Sequence, residues 1–248
     1  LPGFDFIGWF AVVAPTGTPV EVIQRMNREV DATLKDVEIA KRMRDVGMYA
    51  EGGTPEQAAA YLRTQLEQWG KIIHEIGLQP EFIATDWRIG ADPAAIEARL
   101  REDKGKEIKA VCFLHNETST GCLSPVAEIR KAIDRAGHPA LLMVDTISSL
   151  ASTDYRHDEW GVDVTVGGAQ KGLMLPPGMS FNAVSDKALA ANKTSKLTKS
   201  FWAWDEMLTM NKVGFFPYTP ATQMLQGLAV SIEMLHEEGL DNVFARHD

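Results

Sequence analysis

The stretch Val162–Gly178 constrains this chain more than any other. A β-branched run, Val162-Asp-Val-Thr-Val166, stops abruptly at Gly167-Gly168, and Lys171 follows before Pro176-Pro-Gly178. β-Branched residues favour a strand, and paired glycines end it in backbone that is free to turn. A lysine at such an exit is a candidate covalent catalyst. The missing side chains let a bulky ligand approach the backbone, and the amine can attack a carbonyl. The alternative is a surface lysine in an ordinary loop.

Neighbouring segments bear on that choice. Lys109–Leu114 reads as a strand, His115–Gly121 as a polar loop, and Ser124-Pro125 as the opening of a helix ending at Gly137. Ala140–Val144 reads as a strand delivering Asp145, and Val162–Val166 as another. Upstream, Glu81–Ala84 is strand-like and Asp92-Pro93 caps a helix reaching about Glu102. Downstream, Pro220–Glu237 contains a helix with Met224, Leu225, Leu228, Ile232 and Leu235 on one face. Strand, helix, strand alternation with short polar exits predicts parallel βαβ units, whose ligands sit at the carboxyl ends of strands. Such exits carry the His115–Gly121 loop, Asp145-Thr146 and Gln170-Lys171, and this convergence favours the functional reading of Lys171.

A lysine amine forms a Schiff base with an aldehyde cofactor, of which pyridoxal phosphate is the common one. That cofactor needs its ring nitrogen kept protonated by a sheltered carboxylate. Asp145, after Ala140-Leu-Leu-Met-Val144, could be one, and the Ser119 loop could offer a hydroxyl. The plainer alternatives are a turn-forming aspartate and an ordinary Ser/Thr turn.

The first third has a different character. Phe6–Ala14 reads as a short strand, and Thr18, Pro19 and Glu21 as a capping box opening a helix through Val22, Ile23, Met26, Val30 and Leu34. Asp36–Val46 is a second helix stopped by Gly47. Thr54, Pro55 and Gln57 open a third helix that ends at Gly77. Gly53 and Thr54 could imitate a phosphate-binding helix start, but capping accounts for them. Trp9 and Trp69 read as core, and Trp202, Trp204 and Met207 as core or dimer packing.

Composition narrows the classes. With 248 residues the chain makes one large domain or two modest ones, and a net charge of −9 argues against nucleic-acid binding. Cys112 and Cys122 give no disulfide framework, and Cys112 in its apolar run reads as a buried, reduced thiol. His115 and His157 stand too far from other ligand types to argue a metal site. No run approaches a transmembrane length, and Leu1-Pro-Gly3 is not a signal peptide. The expected compartment is the cytoplasm. The absence of an initiator methionine suggests a start inside a longer gene product.

Residues 1–80 resemble the C-terminal part of the Bug-type periplasmic solute receptors of tripartite tricarboxylate transporters. The features are Leu1-Pro-Gly-Phe-Asp5, Ala14-Pro-Thr-Gly-Thr-Pro19, Gly52-Gly-Thr-Pro-Glu56 and Trp69-Gly-Lys-Ile-Ile73. That family is a two-lobed binder of small carboxylates whose gripping loops lie mostly in its N-terminal part, so no binding residue is transferred.

Residues 81–248 resemble the class V aminotransferases of the serine–glyoxylate and alanine–glyoxylate type. The ordered motifs are His115-Asn-Glu-Thr-Ser-Thr-Gly121, Val144-Asp-Thr-Ile-Ser-Ser-Leu150, Gly167-Gly-Ala-Gln-Lys-Gly172 with Pro176-Pro-Gly178, and Phe216-Pro-Tyr-Thr-Pro220. The resemblance implies the large domain of a fold-type I enzyme, an α/β fold with a mixed, mostly parallel sheet and flanking helices. It also implies pyridoxal 5'-phosphate as cofactor, with small amino acids and 2-oxo acids as substrates. Lys171 would carry the Schiff base, Asp145 pair with the ring nitrogen, and Ile147 pack on the ring. Thr118, Ser119 and Gln170 would contact the polar edge of the cofactor. Thr219 would reach the phosphate in a neighbouring subunit, which implies a homodimer. The family's N-terminal phosphate loop and stacking aromatic are replaced here by the receptor-like segment. Its small C-terminal domain would begin near Asp248. Weak or undetectable transamination is therefore expected. The other readings are a small-carboxylate binding module in residues 1–80 and an inactive fusion of two gene fragments.

Overall fold

The computed structural model describes residues 8–86, 88–197, 199 and 201–247, and the chain forms two compact units, Leu1–Pro80 and Glu81–Asp248. The first unit holds helices α1 (Val20–Leu34), α2 (Val37–Asp45) and α3 (Pro55–Glu75). Asp36 caps α2 by accepting the N–H groups of Glu38 and Ile39, donors that have no partner within the helix. α3 opens on a full capping box. Thr54 Oγ1 accepts the Gln57 N–H at 3.2 Å while Gln57 Oε1 accepts the Thr54 N–H at 2.8 Å. At α1 the expectation fails: no side chain caps the helix, the Thr18 hydroxyl donates to Pro15 O at 2.7 Å, and Pro19 takes the cap position.

Other expectations for this unit also need correction. Residues 8–14 form no strand, and Phe6 and Ile7 lie outside the described residues. No residue of α1, α2 or α3 is buried. Trp9 and Trp69 are 42% and 43% exposed rather than core, and Trp9 meets Tyr61 edge-on at 5.8 Å. An amphipathic stripe is buried only when a second layer covers it, and helical spacing alone does not say that one does.

The second unit opens with α4 (Pro93–Glu102), whose cap Asp92 accepts the Ala94 N–H at 2.8 Å. Strands β1 (Ala110–Leu114), β2 (Asn116–Glu117) and β3 (Cys122–Leu123) follow, then α5 (Val126–Arg135), β4 (Leu141–Asp145), β5 (Val164–Gly168) and β6 (Ser180–Val184). Helices α6 (Asp186–Thr194), α7 (Trp204–Asn211), α8 (Thr222–Glu238) and α9 (Leu240–Ala245) complete it. The main sheet has the order β1-β4-β5-β6, with β1, β4 and β5 parallel and β6 antiparallel to β5. β2 and β3 pair separately as a short hairpin. No helix among the described residues is long and apolar enough to cross a membrane.

α5 shows why this unit folds. Val126, Ile129, Ala132 and Ile133 are all buried on one face, spaced as a helix requires. Val126, Ile129 and Ile133 pack with Ile96 and Leu100 of α4 and with Leu142 and Val144 of β4. Ile129 and Ile133 are each 0% exposed, worth about 1.5–3 kcal/mol apiece in removed apolar surface. Because side chains alternate across a strand, Asp145 points to the face opposite Val144. The same alternation corrects the expected burial of Cys112. Val111 and Phe113 pack against the α4–α5 core, so Cys112 faces outward and is exposed.

Two strands depart from expectation. Glu81–Ala84 is not a strand, and the Glu81 carboxylate instead takes two hydrogen bonds from the Arg99 guanidinium. β5 runs later than Val162–Val166. The buried Asp163 precedes it, accepting the Leu142 N–H at 2.9 Å and the Ser185 hydroxyl at 2.8 Å, and β6 then pairs as far as Gly168. Trp202 is 85% exposed, whereas Trp204 is half-buried and donates its indole N–H to Asn182 Oδ1 at 3.2 Å.

Candidate active site

Parallel pairing sends the carboxyl ends of β1, β4 and β5 to one edge of the sheet. Asp145 stands at its centre, in register with Leu114 on one side and Val166 on the other. It is half-buried. Its Oδ1 accepts the Ile147 N–H at 2.8 Å, which folds the chain back over the strand end. Among the described residues, no hydrogen bond occupies the other carboxylate oxygen.

The turn after Asp145 is tied to both neighbours. The N–H and hydroxyl of Thr146 both donate to Val166 O, at 2.8 and 3.0 Å, fixing it to β5. Towards β1, Ser149 Oγ meets the buried His115 Nδ1 at 2.9 Å, and the His115 N–H donates to Asp145 O at 2.8 Å. Burial pushes the His115 pKa below its ordinary value, with the charge of Asp154 pulling the other way. Ser148 Oγ accepts the Asn116 amide at 3.0 Å and donates to Asn116 O at 3.2 Å. Ser148 and Ser149 belong to the Val144–Leu150 motif, which by itself assigns neither a role. Two adjacent hydroxyls three and four residues beyond a strand-ending aspartate were the available signal.

On the β5 side, the loop carrying Lys171 is closed by the Leu175 N–H to Ala169 O at 3.1 Å and the Met174 N–H to Lys171 O at 2.8 Å. Leu173 anchors it by packing with Leu235 and Val243, and its carbonyl accepts the buried Ser231 hydroxyl at 2.6 Å. Lys171 and Gln170 are exposed, and no hydrogen bond or ion pair engages Lys171 Nζ among the described residues. The glycines here do not open a path for a ligand, as the sequence suggested. A Cβ at Gly167 would meet Leu150 Cδ2 at 2.6 Å, and one at Gly168 would meet Gln170 Oε1 and Ile147 Cγ2 at 3.1 and 3.2 Å. They admit the chain's own turn after Asp145.

Thr118 and Ser119 lie exposed in the turn between β2 and β3. The Ser119 N–H and hydroxyl both donate to Glu117 Oε1, at 2.9 and 2.6 Å, and these bonds lower the Glu117 pKa. Thr118 Oγ1 lies 3.4 Å from Ser148 Oγ. Ile147, half-buried, and Gln170 converge on Gly168. Strand ends and contacts thus gather the turn after Asp145, the Lys171 loop and the Thr118 turn. Thr219 is exposed within Gly214–Pro220, which lines an open depression of about 680 Å³, and no hydrogen bond among the described residues joins it to that set.

Comparison with known proteins gives two family matches. Residues 1–78 match the tripartite tricarboxylate transporter family receptor, and residues 62–248 match the aminotransferase class-V family. A serine–glyoxylate aminotransferase of Hyphomicrobium methylovorum is 50% identical over 181 residues, covering 72% of this chain and 45% of the relative. An L-aspartate–glyoxylate aminotransferase of Paracoccus denitrificans is 45% identical over 180 residues, covering 73% of this chain and 46% of the relative. The chain therefore spans just under half the length of such relatives. Among solved structures, the ureidoglycine–glyoxylate aminotransferase of Bacillus subtilis superposes with a TM-score of 0.62 at 27% identity, covering 72% of this chain and 46% of that one. The pyridoxamine–pyruvate aminotransferase of Mesorhizobium loti does so with 0.59 at 28% identity, covering 66% and 42%. A match this long, falling on the sheet edge that carries Asp145 and Lys171, makes the chain a member of the class-V aminotransferases.

Proposed function

We propose that this chain carries the cofactor-holding part of a transaminase that moves an amino group from a small amino acid, serine or alanine, to glyoxylate. The observation that carries the reading is the placing of Asp145 and the Lys171 loop at the ends of adjacent parallel strands. Class-V aminotransferases depend on pyridoxal 5'-phosphate. The residues present suit that group in their chemistry: an amine and a carboxylate oxygen that take no hydrogen bond among the described residues, and hydroxyls on an exposed turn.

When bound, the cofactor supplies an electron sink for the carbon that loses its proton. In this reading Lys171 Nζ would hold the cofactor until the substrate amine displaces it, and the freed amine would then move a proton between the substrate α-carbon and the cofactor carbon. The Asp145 carboxylate keeps the ring nitrogen protonated, and Ile147 packs on the ring face. Thr118, Ser119 and Gln170 serve the polar edge. Thr219 serves the phosphate of a second copy, so the competent form is a homodimer. The exposure of Phe215 and Tyr218 beside Thr219 supports an interface there. The compartment this reading assigns is the cytoplasm. Residues 1–80 and 81–248 are read as segments of separate descent, supported by the receptor match over residues 1–78. Slow transamination by this span follows if it must work without the rest of the aminotransferase length.

Pyridoxal phosphate added to the chain should raise a near-visible absorbance band that Lys171→Ala abolishes. Identical spectra for the two proteins would sink the reading.

A further inference from the structure

We infer that Ser231 of α8 is a positioning residue of this site, one that holds the Lys171 loop through the carbonyl of Leu173. The inference rests on the cofactor reading above. α8 meets that loop along one stripe, Met224, Gly227, Leu228, Ser231 and Leu235, spaced as a single helix face requires. Two residues of the stripe are poor choices for a helix interior. Gly227 costs backbone entropy, and a serine inside a helix ordinarily turns its hydroxyl to its own backbone or to water. Both face the loop. A Cβ at Gly227 would stand 3.0 Å from Leu175 Cδ2, so the glycine lets the helix come close. Ser231 is 4% exposed, and its hydroxyl leaves the helix to donate to Leu173 O at 2.6 Å.

Other contacts also hold the loop. The Leu175 N–H to Ala169 O and the Met174 N–H to Lys171 O set its internal shape. The Ala169 N–H to Met179 O ties its start to the chain entering β6, and Gly172 packs on Leu150. What Ser231 adds is a polar partner at depth. Leu173 follows two residues after Lys171, and its side chain packs with Leu235 and Val243 in a cluster that Leu150 and Ala151 also join. Its carbonyl is carried into the same apolar surroundings, where no other hydrogen bond reaches it among the described residues. Without the Ser231 hydroxyl, that carbonyl finds a partner only when the loop moves out towards water. Holding Lys171 at the end of β5 then returns an unpaired carbonyl to the cluster, and this cost opposes cofactor binding.

The test compares the full chain as wild type, Ser231→Ala and Ile133→Val, the last a trim of the separate α4–α5 core. Pyridoxal phosphate is titrated well below every thermal midpoint, borohydride then fixes it to its lysine, and the peptide bearing Lys171 is quantified by mass. Amide exchange of residues 172–175 is followed without cofactor. Ser231→Ala should weaken the apparent affinity of saturable labelling at Lys171 about three- to tenfold, the scale of one lost hydrogen bond. It should also speed exchange in the loop. Ile133→Val should lower the midpoint and change neither reading. Unchanged labelling or unchanged exchange in Ser231→Ala overturns the inference alone. So do losses that Ile133→Val reproduces, since they would report general stability. No saturable labelling at Lys171 in wild type overturns the cofactor reading, and this inference with it.

Discussion

Gly172 lies so close to Leu150 that no side chain fits between them: a Cβ at Gly172 would sit 2.2 Å from Leu150 O and 2.6 Å from Ser152 Oγ. The nearer obstacle is backbone, which cannot rotate aside as a side chain can. The residue after Lys171 therefore bears on the turn that follows Asp145, and both sides of the site share one contact. Gly172→Ala should destabilise the protein by about 3 kcal/mol, the upper range for overpacking, and displace the lysine loop. Urea unfolding measures the first effect and the wild-type absorbance band the second. A cost within about 0.5 kcal/mol, the scale of ordinary surface changes, would mean that the two segments do not touch.

Much of this arrangement was legible in the residues. The alternation of β-branched runs with capped helices located β1, α5 and β4 within a few residues, because local propensity and burial agree there. Asp145 and Lys171 could be placed at strand exits for the same reason. What escaped was every feature made by contact at a distance. The partner of Gly172 is the Leu150 carbonyl, the partner of Leu173 is Ser231 on α8, and neither pairing leaves a local pattern. Trp9 and Trp69 misled in the opposite sense, since periodicity shows which residues share a face but not whether anything covers it.

Asp103 predicts an acid-labile step in the second unit. Its Oδ2 accepts the Ile108 N–H at 2.8 Å and meets His138 Nε2 at 3.1 Å, while Oδ1 accepts the Glu107 N–H at 3.1 Å. These bonds, that to Ile108 foremost, lower the pKa from its ordinary 3.8 to about 2. Above 3.8 the carboxylate is ionised in both folded and unfolded chains, and its stabilising effect is complete. As pH falls from 3.8 through about 2, the unfolded chain takes the proton first and stability is lost. Asp103→Asn should lower the urea midpoint well above pH 3.8 and flatten its decline between there and about 2. Parallel profiles for the two proteins would remove Asp103 from the acid transition.

His115 makes a prediction nearer neutrality. Its ring is buried beside Tyr155 and Trp160, with centroids 5.2 and 6.1 Å away, and Nδ1 is committed to Ser149 Oγ. Burial lowers its pKa from the ordinary 6.5 despite the opposing charge of Asp154. Above 6.5 the imidazole is neutral in both states and costs nothing. As pH falls from 6.5 towards the lowered folded value, the unfolded chain binds a proton that the folded chain refuses, so stability drops. His115→Gln preserves a polar side chain of similar reach and removes the titration. Wild type should lose resistance to urea on acidification below 6.5 more steeply than His115→Gln does. Equal slopes would show that the imidazole takes its proton without leaving its site. In that case the pin between β1 and the turn after Asp145 would tolerate a charge, because Ser149 Oγ can accept from a protonated ring as readily as it donates to a neutral one.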